Sequence, residues 1–253
     1  MIGHKLLGSG TEKVLVLHAW GLDHSAFESM YPALDAQMFT YAFMDYRGCG
    51  LSRDQSGSYS IDEIGSDAIE LADYLKWQTF HIVGHSMGGM VLQWIAANHT
   101  NRVKSGVAIT PAPACGFPTM DDATREVLCK IGDNAESLAM FFMRATGNRH
   151  NPTWARSIAQ KSLSGTAHEA YAKYTVAWSK TSFVPKVVGL TTPIKVLVGD
   201  HDQSITVEAM QQTIMKWISN AELELLSNCG HYPMMEIPIN LATIVQNYMI
   251  AHA

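Results

Sequence analysis

The chain carries Gly84-His85-Ser86-Met87-Gly88-Gly89 between an apolar run at residues 80–83 and a helix-forming run at residues 90–97. A G-x-S-x-G motif between a strand and a helix places its serine on a sharp, strained turn that is flanked by small residues. Such a turn lifts the Ser86 hydroxyl off the sheet and directs a helix N-terminus at its target. A Gly-rich turn with Ser86 as an ordinary helix N-cap is the competing interpretation, so the motif needs partners.

An acidic partner is expected further along the chain. A serine hydroxyl is a weak nucleophile at neutral pH and needs a base, which in turn needs an orienting carboxylate. In this architecture the order is serine, acid, histidine, each on a loop after a strand. Residues 193–198 predict a buried strand, and Asp200 and Asp202 follow it. Asp202 is favoured because it lies further out on the loop, whereas Asp200 is placed to fix the turn by a hydrogen bond.

The base has to be selected by context, because the chain contains 11 histidines. Residues 221–226 alternate polar and apolar as an outer strand does, and they lead to Gly230, His231 and Pro233 before the last helix. This loop position suits a mobile imidazole, so we predict His231 as the base. No histidine pair has metal-binding spacing beside a carboxylate, and we therefore expect neither a metal site nor a cofactor.

The loop after the first apolar strand, residues 14–17, reads His18-Ala19-Trp20-Gly21. Acyl transfer develops negative charge on the carbonyl oxygen, which two aimed backbone N–H groups can stabilise. We predict that Met87, directly after the serine, and Trp20 supply these donors. His18 is expected to hold the loop backbone by hydrogen bonds.

Five stretches, in this order, resemble the α/β-hydrolase superfamily in its small capped serine esterase and lactonase-like branch: residues 17–21, 45–52, 84–89, 199–202 and 230–238. The resemblance covers almost the whole chain and implies Ser86 as nucleophile, Asp202 as its orienting acid and His231 as base. It also implies that Asp45 and Arg47, in a D-x-R-G-x-G-x-S turn, brace the loop beside the active site. Epoxide hydrolases and haloalkane dehalogenases of this superfamily use an aspartate nucleophile, whereas position 86 is a serine.

Two features depart from the family's pattern. The family usually has glycine after the first-loop histidine, whereas this chain has Ala19, which restricts the backbone. Few residues precede the strand at residues 14–17, so residues 2–7 resemble the family's second strand and its usual first strand is missing. The second departure concerns one edge of the sheet rather than the chemistry.

The alternation of strands and helices predicts an α/β-hydrolase fold with a mostly parallel, doubly wound sheet. At 253 residues and 47% hydrophobic composition, the chain is expected to form one large domain with ample core. A capping box, Ser60 with Glu63, opens a helix that extends to about residue 77. Further helices are predicted at residues 25–38, 206–218 and 239–251.

One interval interrupts the alternation. Between residues 111 and 192 no strand is convincing and helical patterns follow one another. This predicts a helical cap at residues 111–192, inserted before the penultimate strands into a hydrolase core of residues 1–110 and 193–253. The cap's apolar content suits a pocket roof, although packing between cap helices is the commoner role of any single residue. The candidate pocket-wall residues are His18, Met120, Phe141, Met143, Trp154 and Trp178.

Charge and composition exclude several classes of protein. A net charge of −5 offers no basic surface for nucleic acid. No apolar run reaches the ~18 residues that a membrane span needs, and no signal peptide is visible. Four cysteines are scattered without a C-x-x-C pair, which indicates reduced thiols. We therefore expect a cytoplasmic enzyme, monomeric or homodimeric.

The predicted function is that of a serine hydrolase that cleaves a carboxylic ester or lactone of a small, largely apolar substrate through an acyl-enzyme. The same triad could serve carbon–carbon bond hydrolysis, peracid formation or cofactor-free lyase chemistry. A slow-turnover small-molecule receptor is an alternative from a different class. Arg144, Arg149 and Arg156 in the cap could anchor an anionic substrate, although solvated helix faces are the commoner setting for arginine.

Overall fold

A seven-stranded sheet organises the chain, which a computed structural model describes over residues 1–253. Its strands are β1 (His4–Gly8), β2 (Glu12–Leu17), β3 (Phe39–Met44), β4 (Phe80–His85), β5 (Val103–Ile109), β6 (Ile194–Gly199) and β7 (Ala221–Leu226). Their order across the sheet is β1-β3-β2-β4-β5-β6-β7, with β1 antiparallel to β3 and every other neighbouring pair parallel. The predicted α/β-hydrolase architecture, with a mostly parallel sheet, is confirmed.

Helices connect the strands and cover the sheet. They are α1 (Ile61–Tyr74), α2 (Met87–Asn98), α3 (Asp122–Cys129), α4 (Ala135–Ala145), α5 (Pro152–Gly165), α6 (His168–Lys180), α7 (Val184–Val187), α8 (Val207–Gln212), α9 (Ile214–Trp217), α10 (Pro233–Glu236) and α11 (Pro238–Ile250). Segments of 3₁₀ helix occur at His24–Ala33, Gly50–Ser52, Thr100–Arg102 and Ile131–Asp133. None of the helices combines the length and apolar character needed to cross a bilayer.

Two of the predicted helices take a different form. The helix predicted at residues 25–38 is a 3₁₀ helix that ends at Ala33, and the Asp35 carboxylate then caps a turn. The helix predicted at residues 206–218 is interrupted at Thr213, whose φ of −121° and ψ of −98° are not helical. These breaks depend on side-chain capping and packing that local helix propensity does not describe.

The chain between β5 and β6 contains helices α3 to α7 and no strand. Helices α4 and α5 pack against each other, and α3 packs against α6. We call residues 111–192 the cap segment. Its division from a core of residues 1–110 and 193–253 stays a prediction.

The turn at residues 45–52, after β3, is braced by two charged side chains. The buried Asp45 carboxylate accepts a 2.6 Å hydrogen bond from Nδ1 of His24 and two bonds from backbone N–H groups. Burial by itself would raise the pKa of Asp45, but the bond from His24 holds that pKa below its usual value. Arg47 forms a bidentate ion pair with Asp67 on α1, with both N–O distances at 2.8 Å.

Helix α2 lies against the carboxyl ends of β2 and β4, and this close approach requires glycine. A Cβ at Gly88 would lie 2.3 Å from the Leu17 carbonyl oxygen, and a Cβ at Gly84 would lie 2.3 Å from the Gly88 carbonyl oxygen. Real Cβ atoms essentially never come closer than 3.0 Å to another heavy atom. Small residues on both sides of Ser86 therefore let the chain pass directly from strand to helix.

We expect Gly88→Ala to lower the stability of the fold. The added methyl group would collide with the Leu17 carbonyl, and a shift of α2 or β2 to relieve the collision should cost about 1–3 kcal/mol. For a chain of this length that corresponds to a Tm lower by roughly 2–12 °C, measured by circular dichroism during heating. An unchanged Tm would mean that α2 can move away from β2 at no cost.

Candidate active site

Ser86 occupies the turn between β4 and α2 in a strained backbone conformation. Its φ of 53° and ψ of −112° are rarely adopted by residues with a side chain. Its N–H donates to the Ile109 carbonyl at 2.9 Å, and its carbonyl accepts from the N–H groups of Gly89 and Ala112 at 2.9 and 3.0 Å. Ser86 precedes α2, but its hydroxyl makes no capping hydrogen bond. The hydroxyl is therefore available for other partners.

Three predicted residues from three loops meet in one hydrogen-bonded chain. Nε2 of His231 lies 3.0 Å from Oγ of Ser86, and Nδ1 of His231 lies 2.6 Å from Oδ2 of Asp202. With Nδ1 donating to the carboxylate, Nε2 is left to accept the proton of the Ser86 hydroxyl. This arrangement can raise the nucleophilicity of the serine as attack begins.

The two candidate acids have different partners. Asp202 is buried, and its other carboxylate oxygen accepts from the N–H groups of residues 204–205 at 2.9 and 3.0 Å. Asp200 instead accepts from the N–H groups of residues 228–229 at 2.9 and 3.1 Å. Burial would raise the pKa of Asp200, but these two bonds outweigh it and the pKa lies below its usual value. Asp200 thus fixes the loop that leads to His231, and only Asp202 reaches the imidazole.

The backbone of His231 is held from both sides. Its N–H donates to the carbonyl of Ala145, at the C-terminal end of α4, at 2.9 Å. Its carbonyl accepts from Nε2 of His85 at 2.7 Å and from Oγ1 of Thr110 at 3.1 Å. The cap segment and the sheet therefore fix the position of the imidazole together.

Glu236 provides a second link between the cap segment and the loop of His231. Its carboxylate accepts from the N–H groups of the two residues that flank His231, at 2.9 and 3.1 Å. The same carboxylate lies 3.1 Å from Nη1 of Arg149 and 2.9 Å from Nε2 of His150, both in the cap segment. Its side chain is only 1% exposed, so these contacts are well shielded from water.

His85, the residue before the serine, is a buried neutral imidazole. Burial, together with the nearby ring of His231, lowers the pKa of His85 well below its usual value. Because a backbone carbonyl can only accept, Nε2 of His85 carries the proton that it donates to His231. Nδ1 of His85 is buried without a partner.

Trp20 and Met87 are the residues predicted to supply backbone donors to an oxyanion. Both line a cavity that also contains Ser86, and neither backbone N–H makes a hydrogen bond within the protein. Unpaired N–H groups at buried residues are uncommon, and these two are free to bind an anion. Ala19 has a negative φ, so the loop tolerates alanine where the family usually has glycine. The Trp20 indole donates to the Tyr171 carbonyl at 3.0 Å, which ties the loop to α6.

His18 supports this loop from beneath and does not line the cavity. Nδ1 of His18 donates to the Ala19 carbonyl at 2.8 Å, and Nε2 accepts from the N–H of Tyr46 at 3.2 Å. Burial lowers the pKa of His18 and keeps the ring neutral, as this pair of bonds requires. Both ring nitrogens of this candidate wall residue thus bind backbone.

The cavity at Ser86 and His231 has a volume of about 570 Å³. Twelve of its 18 lining residues are hydrophobic. Met120, Phe141 and Trp178, three of the predicted wall residues, are among them. Cavities of this size and lining typically hold a small, largely apolar molecule.

Two further predicted wall residues, Met143 and Trp154, lie outside this cavity. Phe141 and Arg144 are three residues apart and share the face of α4 that lines it, so Met143 lies on a different face. Trp154, in the first turn of α5, lines a separate cavity of about 300 Å³ with Leu22. Both residues were chosen from the composition of the cap segment, which does not indicate which face of a helix lines a cavity.

Other lining residues were not indicated by the sequence: Ala19, Ala112, Thr124, Leu128, Ala145, Gln203, Ser204, Ile205 and Tyr232. Residues 203–205 directly follow Asp202, and this adjacency is a signal that could have identified them. Thr124 and Leu128 are four residues apart on α3, a spacing that indicates a shared face. Nothing in the sequence relates that face to Ser86.

Comparison with known proteins agrees with this geometry. A family model described as the alpha/beta hydrolase fold matches residues 13–238. The chain belongs to the α/β-hydrolase family. The predicted membership in its esterase and lactonase-like branch is confirmed.

Individual α/β-hydrolases resemble the chain at low sequence identity. The chain is 27% identical to 3-oxoadipate enol-lactonase 2 of Acinetobacter baylyi over 196 residues. This aligned region covers 77% of this chain and 72% of that protein. It is 24% identical over 251 residues to a non-heme haloperoxidase of Rhodococcus erythropolis, covering 91% of this chain and 89% of the relative. A solved esterase from Exiguobacterium antarcticum has a TM-score of 0.87 at 20% identity, covering 98% and 94% of the two chains, and shows the shared fold.

We expect His85 to make the fold less stable in mild acid. Its pKa in the folded protein lies below the unfolded value of about 6.5, so below that pH the unfolded chain binds a proton that the folded one rejects. Stability from His85 is therefore complete above pH ~6.5 and is lost as the pH falls, by up to about 2 kcal/mol at pH ~5. His85→Gln removes the titrating ring and keeps an N–H for the His231 carbonyl.

Urea unfolding at about pH 7.5 and about pH 5 gives the free energy of unfolding at each pH. Between the two conditions, this free energy should fall less in His85→Gln than in the parent. His99→Gln is the control, since the half-buried His99 ring lies beside Trp94 and makes neither a hydrogen bond nor an ion pair, so its loss should not alter the difference. Equal losses in the parent and in His85→Gln would contradict the prediction.

Proposed function

We propose that the chain is a serine hydrolase that cleaves a carboxylic ester or lactone of a small, largely apolar substrate through an acyl-enzyme. The observation that carries this proposal is the hydrogen-bonded chain from Ser86 through His231 to Asp202, at the wall of an apolar cavity. A cytoplasmic location and a monomeric or homodimeric state remain predictions from the sequence.

The first half of the reaction forms the acyl-enzyme. Oγ of Ser86 attacks the carbonyl carbon while Nε2 of His231 takes its proton, and Asp202 stabilises the resulting imidazolium. The backbone N–H groups of Trp20 and Met87 bind the oxyanion, and each should lower the barrier by about 3 kcal/mol. The imidazolium then protonates the departing alkoxide, which leaves as the alcohol.

The second half releases the acid. His231 deprotonates a water molecule, which attacks the acyl-enzyme through a second oxyanion intermediate. The proton returns to Ser86 as the ester bond to the enzyme breaks. In a lactone the alcohol stays attached to the acyl chain, so a single hydroxy acid is the product.

The relatives support this class of reaction. One is named an enol-lactonase, and a structure with the same fold is named an esterase. The cap segment supplies most of the apolar side chains that line the cavity, including Phe117, Leu128 and Phe141. The choice of substrate should therefore depend on the cap segment more than on the parts that bind the oxyanion.

Ser86→Ala should abolish turnover of p-nitrophenyl acetate, because no other group in the proposed mechanism can form the acyl-enzyme. We expect kcat to fall by about 10⁴-fold or more, followed as release of p-nitrophenolate, with an unchanged circular dichroism spectrum. Ser66→Ala, at an exposed position on α1, is the matched control and should retain full activity. Turnover by Ser86→Ala at the parent's rate would exclude the proposed nucleophile.

Asp202→Asn and Asp200→Asn should separate the two acids. Asp202→Asn replaces the acceptor at Nδ1 of His231 and should lower kcat by about 10⁴-fold, because the imidazole then favours the wrong tautomer. Asp200→Asn keeps an oxygen for the loop amides and should lower kcat far less. Steady-state kinetics with p-nitrophenyl acetate measure both, and similar losses in the two variants would contradict the assignment.

A further inference from the structure

Arg144 is the one arginine of the chain without an acidic partner. The other six of the seven arginines each form an ion pair with an Asp or a Glu. In the cap segment, Arg149 pairs with Glu236 and Arg156 pairs with Glu136. Arg144 is an exposed residue of α4, and its guanidinium makes neither an ion pair nor a hydrogen bond within the protein, so all of its donors are open to water or to a ligand.

The surroundings of Arg144 favour an anion. Arg144 lines the cavity that contains Ser86 and His231, and no Asp, Glu or Lys lines it. Arg144 is therefore the only permanently charged side chain in the cavity, and its charge is opposite to the net charge of −5 on the whole chain. An anionic group in the cavity would be attracted by the guanidinium of Arg144 and would not be repelled by any lining carboxylate.

The backbone places Arg144 close to the groups that would react. It lies in the last turn of α4, next to Ala145, whose carbonyl accepts the N–H of His231 at 2.9 Å. Phe141, one turn earlier on the same helix, also lines the cavity. An apolar chain could therefore extend along this face of α4 between the scissile bond and the guanidinium.

We propose that Arg144 binds a carboxylate on the substrate, so that the preferred ester or lactone carries a single negative charge at the far end of a short apolar chain. This inference rests on the proposed hydrolase function and names the substrate class of the same site. One guanidinium matches one carboxylate in a bidentate pair. A phosphate dianion would keep one negative charge uncompensated, because the cavity has no second cation.

Two p-nitrophenyl esters of similar length test the subsite: the adipate monoester, which has a free carboxylate, and the neutral heptanoate. The parent should have the higher kcat/KM for the adipate monoester. The ratio of the two kcat/KM values should fall at least tenfold in Arg144→Gln, with partial retention in Arg144→Lys, which keeps the charge and loses the bidentate geometry. Arg156 is exposed like Arg144 but does not line the cavity, so Arg156→Gln removes the same charge from the cap segment and should leave the ratio unchanged.

A binding measurement separates this proposal from the hydrolase proposal. By calorimetry, Ser86→Ala should bind monomethyl adipate at least tenfold more tightly than dimethyl adipate, and the added Arg144→Gln substitution should remove the preference.

If the p-nitrophenyl esters are hydrolysed with a ratio of kcat/KM values that Arg144→Gln leaves unchanged, the subsite is overturned and the hydrolase proposal stands. If no ester is hydrolysed but the calorimetric preference depends on Arg144, the subsite stands and the hydrolase proposal fails. A helix-terminal arginine that only stabilises α4 would show no preference in either measurement, which also overturns the subsite.

Discussion

The position of the serine depends on one steric constraint, the contact of α2 with the ends of β2 and β4. Gly84 and Gly88 have no side chain, and the space where one would lie is filled by backbone. This close approach lets β4 connect to α2 through the single residue Ser86. Ser86 takes a positive φ as the consequence, at a cost of about 1–3 kcal/mol. Backbone hydrogen bonds to Ile109 and Ala112 and the burial of α2 offset this strain. A hydroxyl is thereby presented at a rigid point of the molecule, where its geometry does not depend on a mobile loop.

The imidazole of His231 is positioned by two layers of the structure. Thr110 and His85 hold its backbone carbonyl from the sheet, and the carbonyl of Ala145 holds its N–H from the cap segment. Glu236 adds contacts to the loop and to two cap residues. The cap segment therefore contributes to the position of the base as well as to the wall of the cavity. A substitution in α4 can change the chemistry and the choice of substrate together.

The patterns that predicted well from the sequence are local ones. An apolar run followed by Gly84 to Gly89 specifies strand, turn and helix within a few residues, and the same holds for the loops of Asp202 and His231. The preference for Asp202 over Asp200 agrees with their partners, because both carboxylate oxygens of Asp200 accept hydrogen bonds from the backbone N–H groups of residues 228–229. Composition does not indicate orientation: Met143 lies on a face of α4 that does not line the cavity at Ser86, and Trp154 lies on α5, which contributes no residue to that cavity.

The sequence by itself determined the family, the alternation of strands and helices along the chain, and the residue types that meet at the site. It could do so because strand period, turn chemistry and motif order are set by neighbours along the chain. Only the tertiary structure decided which of the cap arginines is unpaired in the cavity. Arg149 and Arg156 have the same side chain as Arg144, and acids distant in sequence neutralise them. The charge available to a ligand depends on contacts between segments, which no local pattern encodes.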